Sequence, residues 1–251
     1  MSKLKILIAA LILGLGGTGA YLIIAKPFAQ QPLAINDIHI KENNPVGIEN
    51  NDTGNEQNLT ELLAKKIGEG IVKENVDGFL TAGREVFLSA PKAEDMAQQL
   101  LQEAQKNFDI NNLRPVVSIS SLKISEDTSR DALIKYFESS AKIISEAAQK
   151  MPDSLTNSQD LQISDFVKIK EAYEYEVNAL YALGVPKTAL EIHKKAIELV
   201  EFKKNIYAKL AEAEKDPLTA ALAFNGLPNL DQEFSKLESD ANLFIKENIT
   251  N

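Results

Sequence analysis

The chain has 251 residues, 44% of them apolar and 25% charged, with no cysteine, no tryptophan, two histidines and a net charge of −9. That length and apolar fraction suffice for one or two domains with a real core. Without cysteine there is no disulfide framework, thiolate metal site, Fe–S cluster or cysteine nucleophile, and His39 and His193 alone cannot assemble a multi-histidine metal site. The acidic balance speaks against nucleic acid as a partner, because binding phosphates needs a basic footprint.

Residues 6–25 carry no charged or strongly polar side chain. As a helix this run is ~30 Å long, the thickness of a bilayer's hydrocarbon core. Lys3 and Lys5 precede it, Lys26 follows it, and the first acid is Asp37. The positive-inside bias then predicts a short cytoplasmic N-terminus over 1–5, a transmembrane signal anchor over 6–25 and a translocated remainder. A cleaved signal peptide fits less well. The stretch is long for one, and its exit, Ala25-Lys26-Pro27, lacks a good small-x-small site.

Within this run Gly14-Leu15-Gly16-Gly17-Thr18-Gly19 spells G-x-G-x-x-G. A dinucleotide site needs an amphipathic helix opening at the last glycine, whereas here Lys26-Pro27 arrives after six uncharged residues. The glycines suit helix contact in a membrane instead. Ala10, Gly14, Gly16 and Ala20 give two small-xxx-small spacings through which two anchors can pack.

Residues 26–57 collect Pro27, Pro32, Pro45, Gly47 and Gly54 among many asparagines, a composition that cannot offset its own ordering entropy. They read as a flexible tether of roughly 30 Å span. A short extended piece over 33–40 is the one segment in it with pairing character. Residues 58–251 form the extracytoplasmic domain. Setting aside Lys3, Lys5 and Lys26, the tether and domain together hold 24 bases against 36 acids, a balance of −12 that suits a soluble body.

The domain's pattern is helical. Asn58-Leu-Thr-Glu61 caps a first helix carrying Leu59, Leu62, Leu63, Ile67 and Ile71, weakened by Gly68, Gly70 and Gly78. Pro91 opens a second through Met96, Leu100, Leu101 and Ala104. Residues 115–124, where Val117 and Ile119 alternate with serines, are the one strand-like stretch of the body. A helix after Ser125-Glu-Asp-Thr128 presents Leu133, Tyr136, Phe137, Ala141, Ile144 and Ala148 and ends at Pro152. The next carries Phe166, Ile169, Tyr173, Val177, Leu180 and Leu183.

Gly184 then stands where a left-handed C-cap belongs and Pro186 where a first turn belongs, which predicts a helical hairpin. Its second arm, 186–215, bears two stripes: Ile192, Ala196, Leu199, Ile206 and Leu210 beside Leu190, Ile197, Val200 and Tyr207. That width predicts a helix buried between neighbours. Asp216-Pro217 opens a short helix through Phe224, Gly226 and Pro228 break it, and Leu230, Phe234, Leu237, Leu243 and Ile249 mark a last segment. The fold class is therefore all-α, a bundle of about six helices behind an N-terminal transmembrane helix and a disordered tether.

Candidate chemistry is sparse. His193 lies on the second stripe, at the edge of the helix packing. Glu171 and Glu174 share a helix face at i,i+3, while Glu176 points elsewhere, and a solvated face is the default reading of the pair. These three residues, His193, Glu171 and Glu174, are the only candidates. No catalytic, cofactor or metal motif is assigned. Asn51, Asn58 and Asn248 each begin an N-x-T triplet.

Residues 183–199, with Gly184, Ala189, Glu191, Lys195, Ala196, Glu198 and Leu199 matching, resemble the second half of a tetratricopeptide repeat. The closing proline is replaced by Glu201, and no second copy stands 34 residues away. The resemblance implies protein binding by a helical hairpin. The wider frame resembles uncharacterised single-pass membrane-anchored helical proteins of candidate-phylum bacteria, through its anchor, its Asn-rich tether, Val185-Pro186 followed by His193, and Asp216-Pro217. It implies an envelope location and no activity. The expected function is a non-enzymatic, membrane-anchored scaffold that binds envelope proteins, accessory to a surface or secretion assembly. The alternatives are an envelope enzyme using carboxylates near His193 and a purely structural spacer.

Overall fold

The structure is a computed structural model that describes residues 58–62, 64–66, 102, 104–106, 108–155 and 161–250. The anchor, the tether and most of the Pro91 helix lie outside the described residues. What is described is mostly helical, as an all-α reading requires. Among the described residues no helix is long and apolar enough to cross a membrane.

Five principal helices follow in chain order: α1 (Arg130–Ala148), α2 (Ile163–Ala182), α3 (Leu190–Ala211), α4 (Pro217–Phe224) and α5 (Leu227–Ile245). Helix α3 is the centre. It makes its most extensive contact with α2 and also touches α4, α5 and a 3₁₀ turn over Ile110–Leu113. Both predicted stripes are used, since Ile197, Leu199, Val200, Ile206, Tyr207 and Leu210 are all buried. Phe202, Lys203 and His193 are buried as well, so its apolar arc is wider than the two stripes.

The helix boundaries have local causes. Ser129, directly after the Ser125–Thr128 stretch, accepts the Ala132 amide at 3.3 Å and starts α1, while Asp127 accepts the Ser129 amide at 2.9 Å. Asp165 accepts the Gln162 amide at 3.0 Å and closes the first turn of α2. In the last turn of α1, Ala147 is buried and Ala148 exposed, and in α5 Leu243 is exposed while Ala241 and Ile245 are buried. Of the predicted apolar positions, Ala148 and Leu243 thus face solvent, while Ile249 at the end of the last row is buried.

The α2–α3 connection differs from the predicted turn. Leu183 already has extended backbone (φ −75°, ψ 132°), and Gly184–Pro186 forms a strand (β2) paired in parallel with Lys123–Ser125 (β1). In register, Lys123 faces Gly184, Ile124 faces Val185 and Ser125 faces Pro186. Gly184 is thus a strand residue and not a left-handed cap. Pro186 precedes a 3₁₀ turn, Lys187–Ala189, that delivers the chain into α3. Residues 115–118 belong to no strand, and the strand character of that stretch is confined to its end. A body expected to hold one strand-like stretch therefore holds a two-stranded parallel ladder.

Asp216 caps α4 with Pro217 in the first turn, as the sequence predicts, and does more. Its carboxylate accepts from the Thr219 amide (3.1 Å) and hydroxyl (2.7 Å). It also accepts from the Leu59 amide (2.9 Å), the Thr60 amide (3.2 Å) and the Thr60 hydroxyl (2.7 Å). Two helix N-termini thereby converge on one anion, which favours charge there twice over. Asn58 completes the joint: its Oδ1 accepts the Glu61 amide at 2.9 Å and its Nδ2 donates to the Lys215 carbonyl at 3.0 Å. The start of α5 is set by crowding. A Cβ on Gly226 would stand 2.9 Å from Ile110 Cγ1 and Cδ1 and 3.2 Å from the Ala223 carbonyl.

These details separate three substitutions. Gly184→Ala, with only the Lys123 carbonyl 4.0 Å from the new Cβ, should raise stability by about 0.5 kcal/mol by restricting the unfolded chain. Gly226→Ala should cost ~1–3 kcal/mol because Ile110 must move. Asp216→Ala should cost ~1–3 kcal/mol and speed proteolysis within residues 58–66. Burial pulls the Asp216 pKa up, but its hydrogen bonds together outweigh this and hold the folded value below the ordinary one. Its contribution is therefore present above about pH 3.8 and is lost as pH falls through the lower folded value. Urea unfolding of the three variants checks the first two signs, and limited proteolysis between pH 7 and pH 3 checks the third.

Candidate functional site

The three sequence candidates do not converge. Glu171 and Glu174 lie on the exposed face of α2, where Glu174 forms an i,i+4 ion pair with Lys170 at 3.7 Å. His193 is fully buried and not at a packing edge. A wide core around α3 encloses the position that a two-stripe reading leaves at the rim.

The imidazole is held by α1. Tyr136 Oη lies 3.1 Å from His193 Nδ1, and the rings meet edge to face at 5.6 Å. Burial pushes Tyr136 far above the ordinary range for a phenol, so its hydroxyl stays protonated. We assign that proton as the one shared with Nδ1, which leaves the neutral imidazole's own proton on Nε2, beside the Leu180 carbonyl. Nε2 makes no well-formed hydrogen bond among the described residues. Burial pulls the His193 pKa down to about 4, against a smaller opposing pull from Leu180.

The carboxylate that enters the core is Glu176, which sequence reasoning turned away from the site. It is 4% exposed, and burial raises its pKa to about 8 against the opposing pull of Lys203. At neutral pH it is therefore mostly a carboxylic acid. Its position was visible in the row Ile169–Ala172–Glu176–Leu180, whose other three members are buried at i+3 and i+4 steps. Glu176 lines a cavity of about 30 Å³ between α1, α2, α3 and α5, together with Tyr136, Ser140, Ala196 and Ala241.

Lys203 is the core's cation, missed because it too sits inside a helical apolar row. It is 4% exposed, with its ammonium 3.6 Å from Asp231 Oδ1. The faces of Phe234 and Tyr173 lie 5.1 and 5.5 Å away. Tyr173 and Tyr207 stack at 5.7 Å, and burial raises both hydroxyls far above their ordinary pKa. Nearer the surface, Arg114 bridges Glu198 (2.7 Å) and Glu233 (2.5 Å), and Lys195 meets the same two carboxylates at 3.0 Å each. The guanidinium also covers the Phe202 ring at 4.4 Å.

This arrangement cross-links helices and does not converge on an open cleft. Among the described residues no group of three or more His, Asp or Glu side chains is placed to hold a metal ion. The N-x-T triplet at Asn58 serves as a helix cap, Asn248 Nδ2 donates to the Phe244 carbonyl at 2.9 Å, and Asn51 lies outside the described residues. No family model, curated protein or solved structure matches this chain.

Glu176 and His193 impose opposite pH slopes. Glu176 holds its proton longer in the folded than in the unfolded state, so its contribution is full below about pH 4.5 and declines up to about pH 8. His193 resists protonation when folded, so its contribution is full above about pH 6.5 and is lost as pH falls towards 4. Between about 4.5 and 6.5 the slopes oppose each other, and above 6.5 only the decline remains. Glu176→Gln should therefore exceed the parent chain in stability by on the order of 1 kcal/mol or more at pH 8. The advantage should shrink towards pH 5, as read by urea unfolding at both pH values.

Proposed function

We propose that the chain is a membrane-anchored, non-enzymatic scaffold whose helical domain binds other proteins of the cell envelope. In this reading residues 6–25 hold it in the membrane with the N-terminus cytoplasmic. Residues 26–57 act as tether, and the domain from 58 onward stands outside the cytoplasm. The observation that carries the reading is the use made of the buried polar groups. Tyr136, His193, Lys203 and Asp231 are turned on one another inside the bundle, and the cavity beside Glu176 is far below the roughly 300 Å³ of a small-molecule site. The exposed pair Glu171 and Glu174, separated from a buried His193, weakens the enzyme alternative.

Two further features support a scaffold. The Arg114–Glu198–Glu233–Lys195 network and the Asp216 joint stiffen the body at both ends of α3. The small residues Ala10, Gly14, Gly16 and Ala20 offer the anchor a route to self-association in the membrane. A tetratricopeptide-like use of the α2–α3 hairpin would place binding on the exposed face of α2.

Topology is tested in the full chain by one cysteine at Asn55 and a membrane-impermeant maleimide on intact cells. Labelling is expected, and an unlabelled, membrane-bound protein would reverse the orientation. A photo-cross-linking residue at exposed Val167 of α2 should capture discrete envelope proteins in the same cells. Recovery of the uncross-linked chain alone would sink the binding role.

A further inference from the structure

Strand β1 has one paired side and one open side. In its parallel ladder with β2, Lys123, Ile124 and Ser125 stand beside Gly184, Val185 and Pro186. Such a ladder has two phases: either Ile124 or Val185 turns both its amide and its carbonyl towards the other strand. The first phase would need an N–H from Pro186, which has none. Val185 therefore bonds to Lys123 and Ser125, and the Ile124 N–H and C=O point away from β2. Among the described residues nothing else pairs with them.

The chain around this edge is apolar where it meets solvent. Val116 is 96% exposed, and Ile119 and Ile124 are exposed too. They are three of the five large apolar side chains that stand exposed among the described residues, gathered within one short stretch. Lys123 is exposed beside them and forms no ion pair among the described residues.

One segment of the chain suits the edge. Residues 33–40 lie in a run free of proline and glycine between Pro32 and Pro45. Leu33, Ile35, Ile38 and Ile40 suit a half-buried strand, and Asp37, the one acid before Glu42, complements Lys123. Reach permits the contact. Asn58 is tied to the Lys215 carbonyl, past the C-terminal end of α3, whereas β2 leads into its N-terminal end. The ends of that 22-residue helix are ~33 Å apart. Residues 41–57 extend to ~56 Å and so can span it.

We propose that residues 33–40 add a third strand to the sheet along the open edge of β1, held by the Ile124 amide and carbonyl. A segment of the same chain meets the edge at an effective concentration of about mM, which favours it over a second copy. Docking decides which end of the bundle faces the anchor. With the strand in place, only residues 26–32 separate anchor from sheet, a reach of at most ~23 Å, and the β1 end faces the membrane. Without it the domain hangs from Asn58, at the opposite end of α3. This consequence, unlike the docking itself, rests on the reading of residues 6–25 as an anchor.

The cysteine-free full-length chain in detergent micelles allows a direct test. Ile124→Cys is combined in turn with Ala34→Cys, Ile35→Cys, Asn36→Cys, Asp37→Cys or Ile38→Cys and mildly oxidised. Disulfides within one chain are expected, with yields that alternate along the segment because neighbouring side chains of a strand point to opposite faces. Equal yields at every position, no disulfide, or disulfides only between chains would each overturn the proposal, the last in favour of a second copy. Hydrogen exchange supplies another reading. Ile35→Pro combined with Ile38→Pro leaves residues 58–251 unchanged and should speed exchange at the Ile124 amide by roughly tenfold or more. An unchanged rate would overturn the proposal as well. Neither reading depends on membrane topology or on envelope partners, so the docking and the scaffold role can fail separately.

Discussion

The constraint on which the rest depends is the burial of α3 from several sides at once. A 22-residue helix in contact with α2, α4, α5 and the 110–113 turn can bury few of its polar groups without partners. Nine of its residues are buried, two of them His193 and Lys203. Each of these needs a partner from a different helix, because an unpaired polar group in such a core costs several times what a hydrogen bond contributes. Tyr136 from α1 answers His193, and Asp231 from α5, with two aromatic faces, answers Lys203. The neighbours of α3 are therefore fixed in register as well as in distance. A helix row slipped by one turn would strand a cation or an imidazole.

The same economy explains why the interior stays neutral on its α1–α2 side. Glu176 is held as an acid and His193 as a free base, so that region adds no net charge to the core. The charges that remain are gathered where solvent or a counter-ion reaches them. Arg114, Lys195, Glu198 and Glu233 share one half-exposed network of two cations and two anions, with Arg114 lying over Phe202. Exposed pairs contribute little singly, but a network seated on an aromatic ring resists rearrangement better than any of its members.

Much of the bundle was legible in the sequence because helical spacing and punctuation survive tertiary context. The apolar rows of α1, α2, α3 and α5, the Asp216-Pro217 start of α4 and the central place of α3 all follow from that pattern. The misread features share one cause: their identity is decided by a distant segment. Gly184 and Pro186 look like helix punctuation, yet Lys123–Ser125 recruits them as a strand. Glu176 and Lys203 look like surface charges, because residue type was weighed above position in the row. The serines around 118–121 suggested alternation, but they form a 3₁₀ turn before the strand begins. Of the site, His193 was singled out, while Tyr136 was counted only as core and Ser140 was passed over.

The joint at Asp216 has a consequence for how the molecule comes into being. It links residues 59 and 60 to a carboxylate more than 150 positions further along the chain. In vectorial synthesis, the N-terminal end of the domain emerges first, but its acceptor emerges only when α4 is made. Residues 58–66 must therefore wait through the synthesis of α1, α2 and α3. Closing so long a loop adds an entropic cost that grows only slowly with length, but it cannot begin before both ends exist. The first part of the domain to be made thus waits for one of the last, and its docking reports that synthesis has reached α4.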